Sequence, residues 1–445
     1  MDGDRQRHSR AGQLLRVDQH QLRGGRTSRV LTVSAESVGD VPAYRAGRRT
    51  GPAARGAHLV RLGPAFVAAI AYVDPGNVAT NTTAGAQYGF GLAWVVVLAI
   101  AVAGPVQYLS AKLGAITGSS LPELLGARMS PASRFLYWLQ AEAVIIATDL
   151  AEVVGAAIAL HLLFGMPMWQ GAIVTAVVGG ALLIVRDRAG DRCFQLVMIG
   201  GLALIGAGFV LGVAMGPAPA GVDLRPQLHD QQMVLLATGI VGATVMPHAI
   251  YLHSSLTTQQ GGTLRKRLRT NRIDVVLAMV LAGSVNVCML VLGATALRGN
   301  TDQDFSAIAH SLGTRIGDGA ETAFALALLV SGLASTTVGI QSGEVVMSGL
   351  LHRRIPVLAR RAGAVIPAVA LLALGTAPVS LLVWSQVVLA LGLPFALIPL
   401  VRLTSSRSVM GSRASRRGFA ACSWSIIAAV VALDLGLLAI PLVSG

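Results

Sequence analysis

Long apolar runs recur along the chain from about Leu62 to the C-terminus. Each run is close to the roughly 20 residues that a helix needs to cross a bilayer. The composition agrees, because 53% of the residues are hydrophobic and 13% are charged, a balance that a soluble domain does not carry. The sequence therefore predicts an all-α polytopic membrane protein. We count eleven runs, called spans below, at residues 62–88, 91–113, 135–164, 171–185, 194–216, 232–258, 275–297, 322–350, 362–377, 380–401 and 419–442.

The net charge of +14 does not indicate nucleic-acid binding, because the basic residues alternate from loop to loop. The loops after the even-numbered spans hold twenty Lys and Arg, and those after the odd-numbered spans hold only Arg225, Arg298 and Arg315. Cytoplasmic loops accumulate Lys and Arg. We therefore expect a cytoplasmic N-terminus and an extracytoplasmic C-terminus. The Arg- and Ala-rich composition suggests a bacterial inner membrane.

Residues 1–56 are polar and Arg-rich and lack apolar periodicity, so they are predicted to form a disordered cytoplasmic tail. Residues 57–445 then form the transmembrane domain. Cys193, Cys288 and Cys422 are scattered singly through apolar spans. They show neither metal-ligand spacing nor a disulfide framework.

Two spans contain helix-breaking residues near their middle. In the first span these are Asp74-Pro75-Gly76-Asn77, and in the sixth Gly242 and Pro247 bracket residues 243–246. A helix interrupted inside a bilayer is tolerated where its freed groups line a cavity. Paired breaks in corresponding positions point to a transporter site. They predict a five-plus-five inverted repeat, with halves at about 62–216 and 232–401 and an extra helix at about 419–442.

The side chains at the breaks suit a cation. The carboxylate of Asp74, the amide oxygen of Asn77 and freed carbonyls near Ala71 and Ala243 make a cage of hard oxygen ligands. The thioether of Met246 adds a soft ligand, which favours manganese, iron, cobalt or cadmium over magnesium and calcium. Met246 could also serve packing alone.

Further polar groups lie inside the apolar spans, where ionisable side chains are costly and suggest function. Their alternative role is structural: hydrogen-bonded histidines and a buried ion-pair network. The third-span acids share one helical face, with two ninth-span arginines as possible partners. Asn286 and Gln386 could enter a metal's coordination shell directly or through water. The histidines, acids and arginines are His248, His253, Glu142, Asp149, Glu152, Arg360 and Arg361.

At these residues the sequence resembles the Nramp family of proton-coupled divalent metal transporters. The resemblance rests on DPGN in the first span, ATDLAEV in the third, GATVMPH in the sixth, SVNVCML in the seventh and SQVVLALGLPFALIPL in the tenth. It covers about Leu62 to Gly411. The chain departs from the family pattern at Ala249 and Glu344, which usually are Asn and Gln.

The resemblance implies a LeuT-like fold that works by alternating access. It implies metal binding by Asp74, Asn77, Met246 and the carbonyls of Ala71 and Ala243, joined by Gln386 in some conformations. It also implies a proton-linked network of Glu142, Asp149, Glu152, His248 and Arg361. The expected cargo is Mn²⁺, with Fe²⁺, Co²⁺ and Cd²⁺ as further substrates and H⁺ as the coupling ion. No resident cofactor, nucleic acid or obligatory protein partner is expected.

Three alternatives remain at the sequence level. A sodium- or proton-coupled amino-acid symporter of the same fold is one, although Asp74 would repel a substrate carboxylate. A passive channel could use the same ligands. A membrane enzyme is disfavoured, because no protease, hydrolase or phosphate-loop motif occurs.

Overall fold

The protein is all-helical in a computed structural model, which describes residues 63–189, 191–219, 221–299, 309–310, 313–314, 317–353 and 356–443. Every predicted span falls on helix: the first on three helical segments, the sixth on two, and each of the others on one. The predicted tail at 1–56 and Arg315 lie outside the described residues.

The helices extend the apolar runs by a few residues at most of their ends. The seventh is the main exception, because its polar N-terminal turns lie before the apolar run and begin at a Thr263 cap. Two short helices, Leu121–Gly126 and Arg407–Met410, follow the second and tenth spans. The spans in chain order are Pro64–Ala69 with Ile70–Val73 and Pro75–Tyr88, Ala93–Thr117, Pro131–Phe164, Met168–Ala189, Asp191–Met215, Gln231–Val245 with Pro247–Leu256, Leu264–Ala296, Asp318–Leu351, Val357–Ala373, Pro378–Ser405 and Arg417–Val443.

Seven helices within the described ranges are long and apolar enough to cross a membrane by length and composition. They are the second, third, sixth, seventh, eighth, tenth and eleventh spans, with both halves of the sixth taken together. Shorter apolar helices occupy the first, fourth and fifth spans. The polytopic helical architecture is thus confirmed, whereas the number of eleven crossings stays a prediction.

Both predicted breaks occur. In the first span, a 3₁₀ turn at Ile70–Val73 ends at Asp74, whose backbone is extended, and a new helix begins at Pro75. In the sixth span the predicted unwinding of residues 243–246 is wrong in extent. The helix continues to Val245, and only Met246 leaves it, with φ 33° and ψ 107°. One residue suffices because Pro247 starts the next helix at its first position, where proline fits.

The spans pack as two related five-span halves would. The first span packs on the seventh and the sixth on the second, while the third packs on the eighth and the fourth on the ninth. The tenth packs on the third and the fifth on the eighth. Contacts in one half correspond to contacts in the other when span numbers are shifted by five. The contact between the first and seventh spans thus corresponds to that between the sixth and second, and the contact between the third and tenth to that between the eighth and fifth. The arrangement brings both breaks against the third and tenth spans.

Candidate functional site

Each break releases one backbone carbonyl by the same device. In an α-helix the carbonyl of residue i accepts a hydrogen bond from the N–H of residue i+4, and proline has no N–H. Pro75 stands four residues after Ala71, and Pro247 stands four residues after Ala243. The Ala71 carbonyl accepts only a 3.3 Å contact from the Asp74 N–H within the break. Both carbonyls that the sequence analysis proposed as ligands are thus freed from the regular ladder.

Asn77 ties the two breaks together. Its Nδ2 donates to the freed Ala243 carbonyl at 2.7 Å and to the Tyr72 carbonyl at 3.0 Å. Its Oδ1 accepts a 3.2 Å bond from Asn81. A side chain of the first span therefore satisfies a backbone group of the sixth, inside a fully buried region.

Asp74 and Gln386 meet at the first break. Asp74 Oδ1 caps the helix that follows by accepting from the Asn77 N–H at 2.8 Å, and Oδ2 accepts from Gln386 Nε2 at 3.4 Å. Gln386 Oε1 has no hydrogen-bond partner within the described part of the chain. Two glycines allow this approach, because a Cβ on Gly76 would overlap the Gln386 amide and a Cβ on Gly242 would overlap its backbone carbonyl.

The site is closed to solvent. Asp74, Asn77, Met246 and Gln386 each have 0% relative exposure. Met246 holds a positive φ that costs a non-glycine residue about 1–3 kcal/mol, a kind of strain that clusters at functional sites. Among the described residues, no group of three or more His, Cys, Asp and Glu side chains could hold a metal. A cation here would therefore rely on one carboxylate with amide, carbonyl and thioether ligands.

The acids of the third span are buried beside the arginines of the ninth. Glu142 Oε1 accepts a 2.9 Å bond from Arg360 Nε, which confirms the predicted pairing of these elements. Asp149 and Glu152 face the eighth span at Gly339, where a Cβ would lie 2.6 Å from Asp149 Oδ1 and 3.5 Å from Glu152 Oε2. The missing side chain at Gly339 gives both carboxylates room.

Charge links these acids to the break. Arg361 is buried, and its charge attracts Asp149 and Glu152. Its terminal nitrogens make no hydrogen bond within the described ranges, so it acts through charge. Glu152 is close enough to Asp149 and to Asp74 for the carboxylates to repel each other. Along the third span, these acids therefore lie between the Glu142–Arg360 pair and Gly155, where a Cβ would meet Pro75 at the first break.

The two histidines occupy different surroundings. His248 Nδ1 lies 3.3 Å from Thr148 Oγ1 on the third span, one position before Asp149. His253 Nδ1 lies 2.7 Å from Gln107 Oε1, and Gln107 Nε2 donates to the Tyr72 hydroxyl. His248 thus faces the acid-bearing helix, whereas His253 belongs to a separate series of hydrogen bonds that leads through Gln107 to Tyr72 at the first break.

Sequence reasoning missed several polar partners. Gln107 and Tyr72 complete the His253 chain, and Asn81 supports Asn77. The position of Asn81 four residues after Asn77, on the same helical face, could have indicated it, but nothing in the pattern of the second span singles out Gln107. Asn286, which was proposed, is buried, and its amide has no hydrogen-bond partner among the residues that the structure describes.

An apolar bundle of helices with two breaks, which each free a carbonyl and which the Asn77 amide links beside the buried Asp74 carboxylate, defines a multi-pass membrane protein of the inverted-repeat class. The family model described as "Natural resistance-associated macrophage protein-like" matches residues 65–439. The chain belongs to this family, Nramp, and the predicted membership is confirmed.

Known proteins of the family are similar over most of their length. The chain is 48% identical over 382 residues to the Divalent metal cation transporter MntH of Mycobacterium tuberculosis (strain CDC 1551 / Oshkosh), covering 84% of this chain and 89% of the relative. The protein of the same name from Bacillus subtilis (strain 168) is 42% identical over 388 residues, covering 85% and 91%. A crystal structure of the Eremococcus coleocola manganese transporter, in complex with an aromatic bis-isothiourea substituted compound, superimposes with a TM-score of 0.75 at 30% identity. It covers 84% of this chain and 85% of that one. The likeness confirms the predicted LeuT-like fold.

Proposed function

We propose that the protein imports divalent transition metal ions, foremost Mn²⁺ and also Fe²⁺, Co²⁺ and Cd²⁺, together with protons by alternating access. The observation that carries the proposal is the buried Asp74 carboxylate at the junction of two breaks that Asn77 bridges at 2.7 Å. The relatives named as divalent metal cation transporters and the manganese transporter structure support the same cargo.

The proposed ligands are Asp74, Asn77, Met246, Gln386 and the carbonyls of Ala71 and Ala243. In the described conformation several of these atoms are engaged by one another, since Gln386 Nε2 lies on Asp74 Oδ2 and Asn77 Nδ2 on the Ala243 carbonyl. Metal entry exchanges these hydrogen bonds for coordination bonds. For Asp74 Oδ2 and the Ala243 carbonyl the exchange keeps a buried oxygen satisfied in both states, which lowers its cost. Gln386 Oε1, which has no hydrogen-bond partner among the described residues, would gain one in the metal.

Met246 supplies the selectivity in this proposal. A thioether adds little to the binding of Mg²⁺ or Ca²⁺, which prefer oxygen, but it tolerates softer transition metals. The residue lies at the break itself, and its strained backbone is held by Pro247 on one side and the end of the preceding helix on the other. Its side chain is fully buried in the core.

The proton route follows the coupled carboxylates. A proton taken up at Asp74 relieves its repulsion with Glu152, and transfer along the third span brings it to Asp149 and then to the Glu142–Arg360 pair. His248 borders this route through Thr148. Like-charged carboxylates in a dry site favour binding a shared proton, and the inward proton gradient drives its net movement. The membrane potential adds about 2.3 kcal/mol per charge per 100 mV.

We further propose that the protein lies in a bacterial plasma membrane with the N-terminus in the cytoplasm and the C-terminus outside. The alternation of basic loops supports this orientation. We expect no obligatory protein partner for the transport cycle.

The test is uptake of Mn²⁺ and Cd²⁺ into proteoliposomes under an inward proton gradient, with Ca²⁺ and Mg²⁺ as competitors. The wild type should take up both transition metals, and Asp74→Ala should abolish uptake. Met246→Ala should let Ca²⁺ or Mg²⁺ compete. Failure of the wild type to move metal, or an unchanged selectivity of Met246→Ala, would contradict the proposal and favour an organic-solute symporter.

Proton coupling is read separately with a pH dye inside the vesicles. Glu152→Gln should retain metal uptake down a metal gradient and lose metal-dependent acidification. If acidification persists in Glu152→Gln at the wild-type ratio of protons to metal, the third-span route is wrong, whatever the outcome of the metal assay.

A further inference from the structure

The segment between the tenth and eleventh spans carries a concentrated positive charge. Five arginines lie within residues 402–417, and no Asp or Glu occurs anywhere in residues 345–433. Lys112, near the end of the second span, adds a sixth charge. We call these six residues the basic corner: Lys112, Arg402, Arg407, Arg413, Arg416 and Arg417.

The corner is built on an ordered scaffold. The short helix Arg407–Met410 packs against the second and tenth spans, and Met410 is buried at 2% exposure. The Ser415 N–H then donates to the Thr404 carbonyl at 2.9 Å, which fixes the end of the segment to the tenth span. Arg413 lies between these two anchors. Its backbone position is therefore set by packing and by a hydrogen bond.

Two cations converge at this place. Arg413 lies close enough to Lys112 for their positive charges to repel each other. Lys112 is only partly exposed, and its neighbours Ala111 and Leu113 are buried. No acidic side chain forms an ion pair with either residue in the described part of the chain. An anion between them would relieve the repulsion that the protein leaves uncompensated.

The corner also lies where apolar helix meets polar loop. The tenth span ends just beyond Arg402, and the apolar eleventh span begins at Arg417. Trp424 is 39% exposed in the second turn of the eleventh span, and tryptophan is enriched at the level of lipid headgroups. The basic corner therefore faces the depth at which phospholipid phosphates lie.

We propose that the basic corner binds the phosphate of an anionic phospholipid, with Lys112 and Arg413 as its principal contacts. Arginine offers a planar fork of donors and lysine a compact charge at the end of a long stem, and both are suited to phosphate. Lys112 reaches the headgroup along its apolar stem. The other four arginines hold the lipid's negative charge in place from the surrounding loop.

The test is direct titration of the delipidated full-length protein with phosphatidylglycerol and phosphatidylcholine, followed by native mass spectrometry. The wild type should bind phosphatidylglycerol more tightly. Lys112→Gln and Arg413→Gln should each weaken it by about fivefold, the change that corresponds to about 1 kcal/mol per basic residue at an anionic surface. Arg413→Lys should retain most of the affinity. The readout involves no metal, so it is independent of the proposed transport function.

Lys266→Gln is the matched control, because it removes one charge from an exposed residue of the seventh-span helix outside the corner. It should leave the affinity for phosphatidylglycerol unchanged. An equal loss in Lys266→Gln would overturn the proposal in favour of diffuse surface attraction. Displacement of the lipid by inorganic phosphate at equal concentration would also overturn it, in favour of a soluble anion. Unchanged unfolding midpoints in phosphatidylcholine show that the variants are folded.

Discussion

The ion pair between the third and ninth spans offers a quantitative test of the buried network. Arg360 donates to Glu142 at 2.9 Å, with side-chain exposures of 7% and 11%. Removing one partner of such a pair leaves an uncompensated buried charge, which costs about 3–5 kcal/mol. The two single variants should differ, because Arg360 also attracts Asp149, whereas the ion pair that Glu142 forms within the described residues is with Arg360 alone.

The loss of stability in Arg360→Gln should therefore lie near the upper end of that range. It strands Glu142 and deprives Asp149 of one of its two neighbouring cations. The loss of stability in Glu142→Gln should lie near or below the lower end of the range, since Arg360 still has Asp149 as a neighbouring negative charge. The double variant Glu142→Gln/Arg360→Gln removes both charges of the pair and should be more stable than Arg360→Gln alone.

The assay is equilibrium unfolding of the four proteins in one detergent, with the free energy of unfolding obtained from each transition. A double-mutant cycle then isolates the coupling between the two side chains. Two results would refute the reasoning. One is a Glu142→Gln variant less stable than Arg360→Gln, and the other is a double variant whose loss equals the sum of the single losses.

Two further predictions concern the helix Pro75–Tyr88, one at its start beside the first break and one at its end, where Tyr88 contacts Asp230. Gly76→Ala should abolish metal uptake in proteoliposomes, because its Cβ would overlap the Gln386 amide, whereas Gly200→Ala, which meets nothing within 4 Å, should transport normally. Asp230→Ala should destabilise the protein more than Tyr88→Phe in thermal unfolding. Asp230 caps the sixth span at the Met233 N–H and also accepts the Tyr88 hydroxyl at 2.7 Å, and loss of a cap costs about 1 kcal/mol. Equal uptake by both glycine variants, or equal midpoints for Asp230→Ala and Tyr88→Phe, would contradict these expectations.

The sequence predicts the two breaks because their causes are local. Pro75 and Pro247 remove hydrogen-bond donors at fixed positions, and the carbonyls that they free follow by counting back four residues. The extent of the second break was not predictable in this way. Gly242 suggested early unwinding, yet its lack of a side chain serves the close approach of the Gln386 backbone instead.

The side-chain network depends on packing between distant spans, which a single sequence does not encode in a readable way. The stripe of acids on the third span predicted a cationic partner, and Arg360 is that partner for Glu142. By contrast, the chain from His253 through Gln107 to Tyr72 needs three spans to be in register. Polar residues of that kind become informative only after the helices are placed.

The most direct test of the central claim is equilibrium binding of Mn²⁺ to the purified protein, the Asp74→Asn variant and the Asp434→Asn variant. Asp434 is a buried carboxylate in the eleventh span and lies outside the proposed site. Asp434→Asn therefore makes the same chemical change as Asp74→Asn, at an intramembrane position away from the site. We expect Asp74→Asn to lose Mn²⁺ binding and Asp434→Asn to bind Mn²⁺ as the wild type does. Retained binding in Asp74→Asn, or an equal loss in both variants, would contradict the assignment of the metal site to the paired breaks.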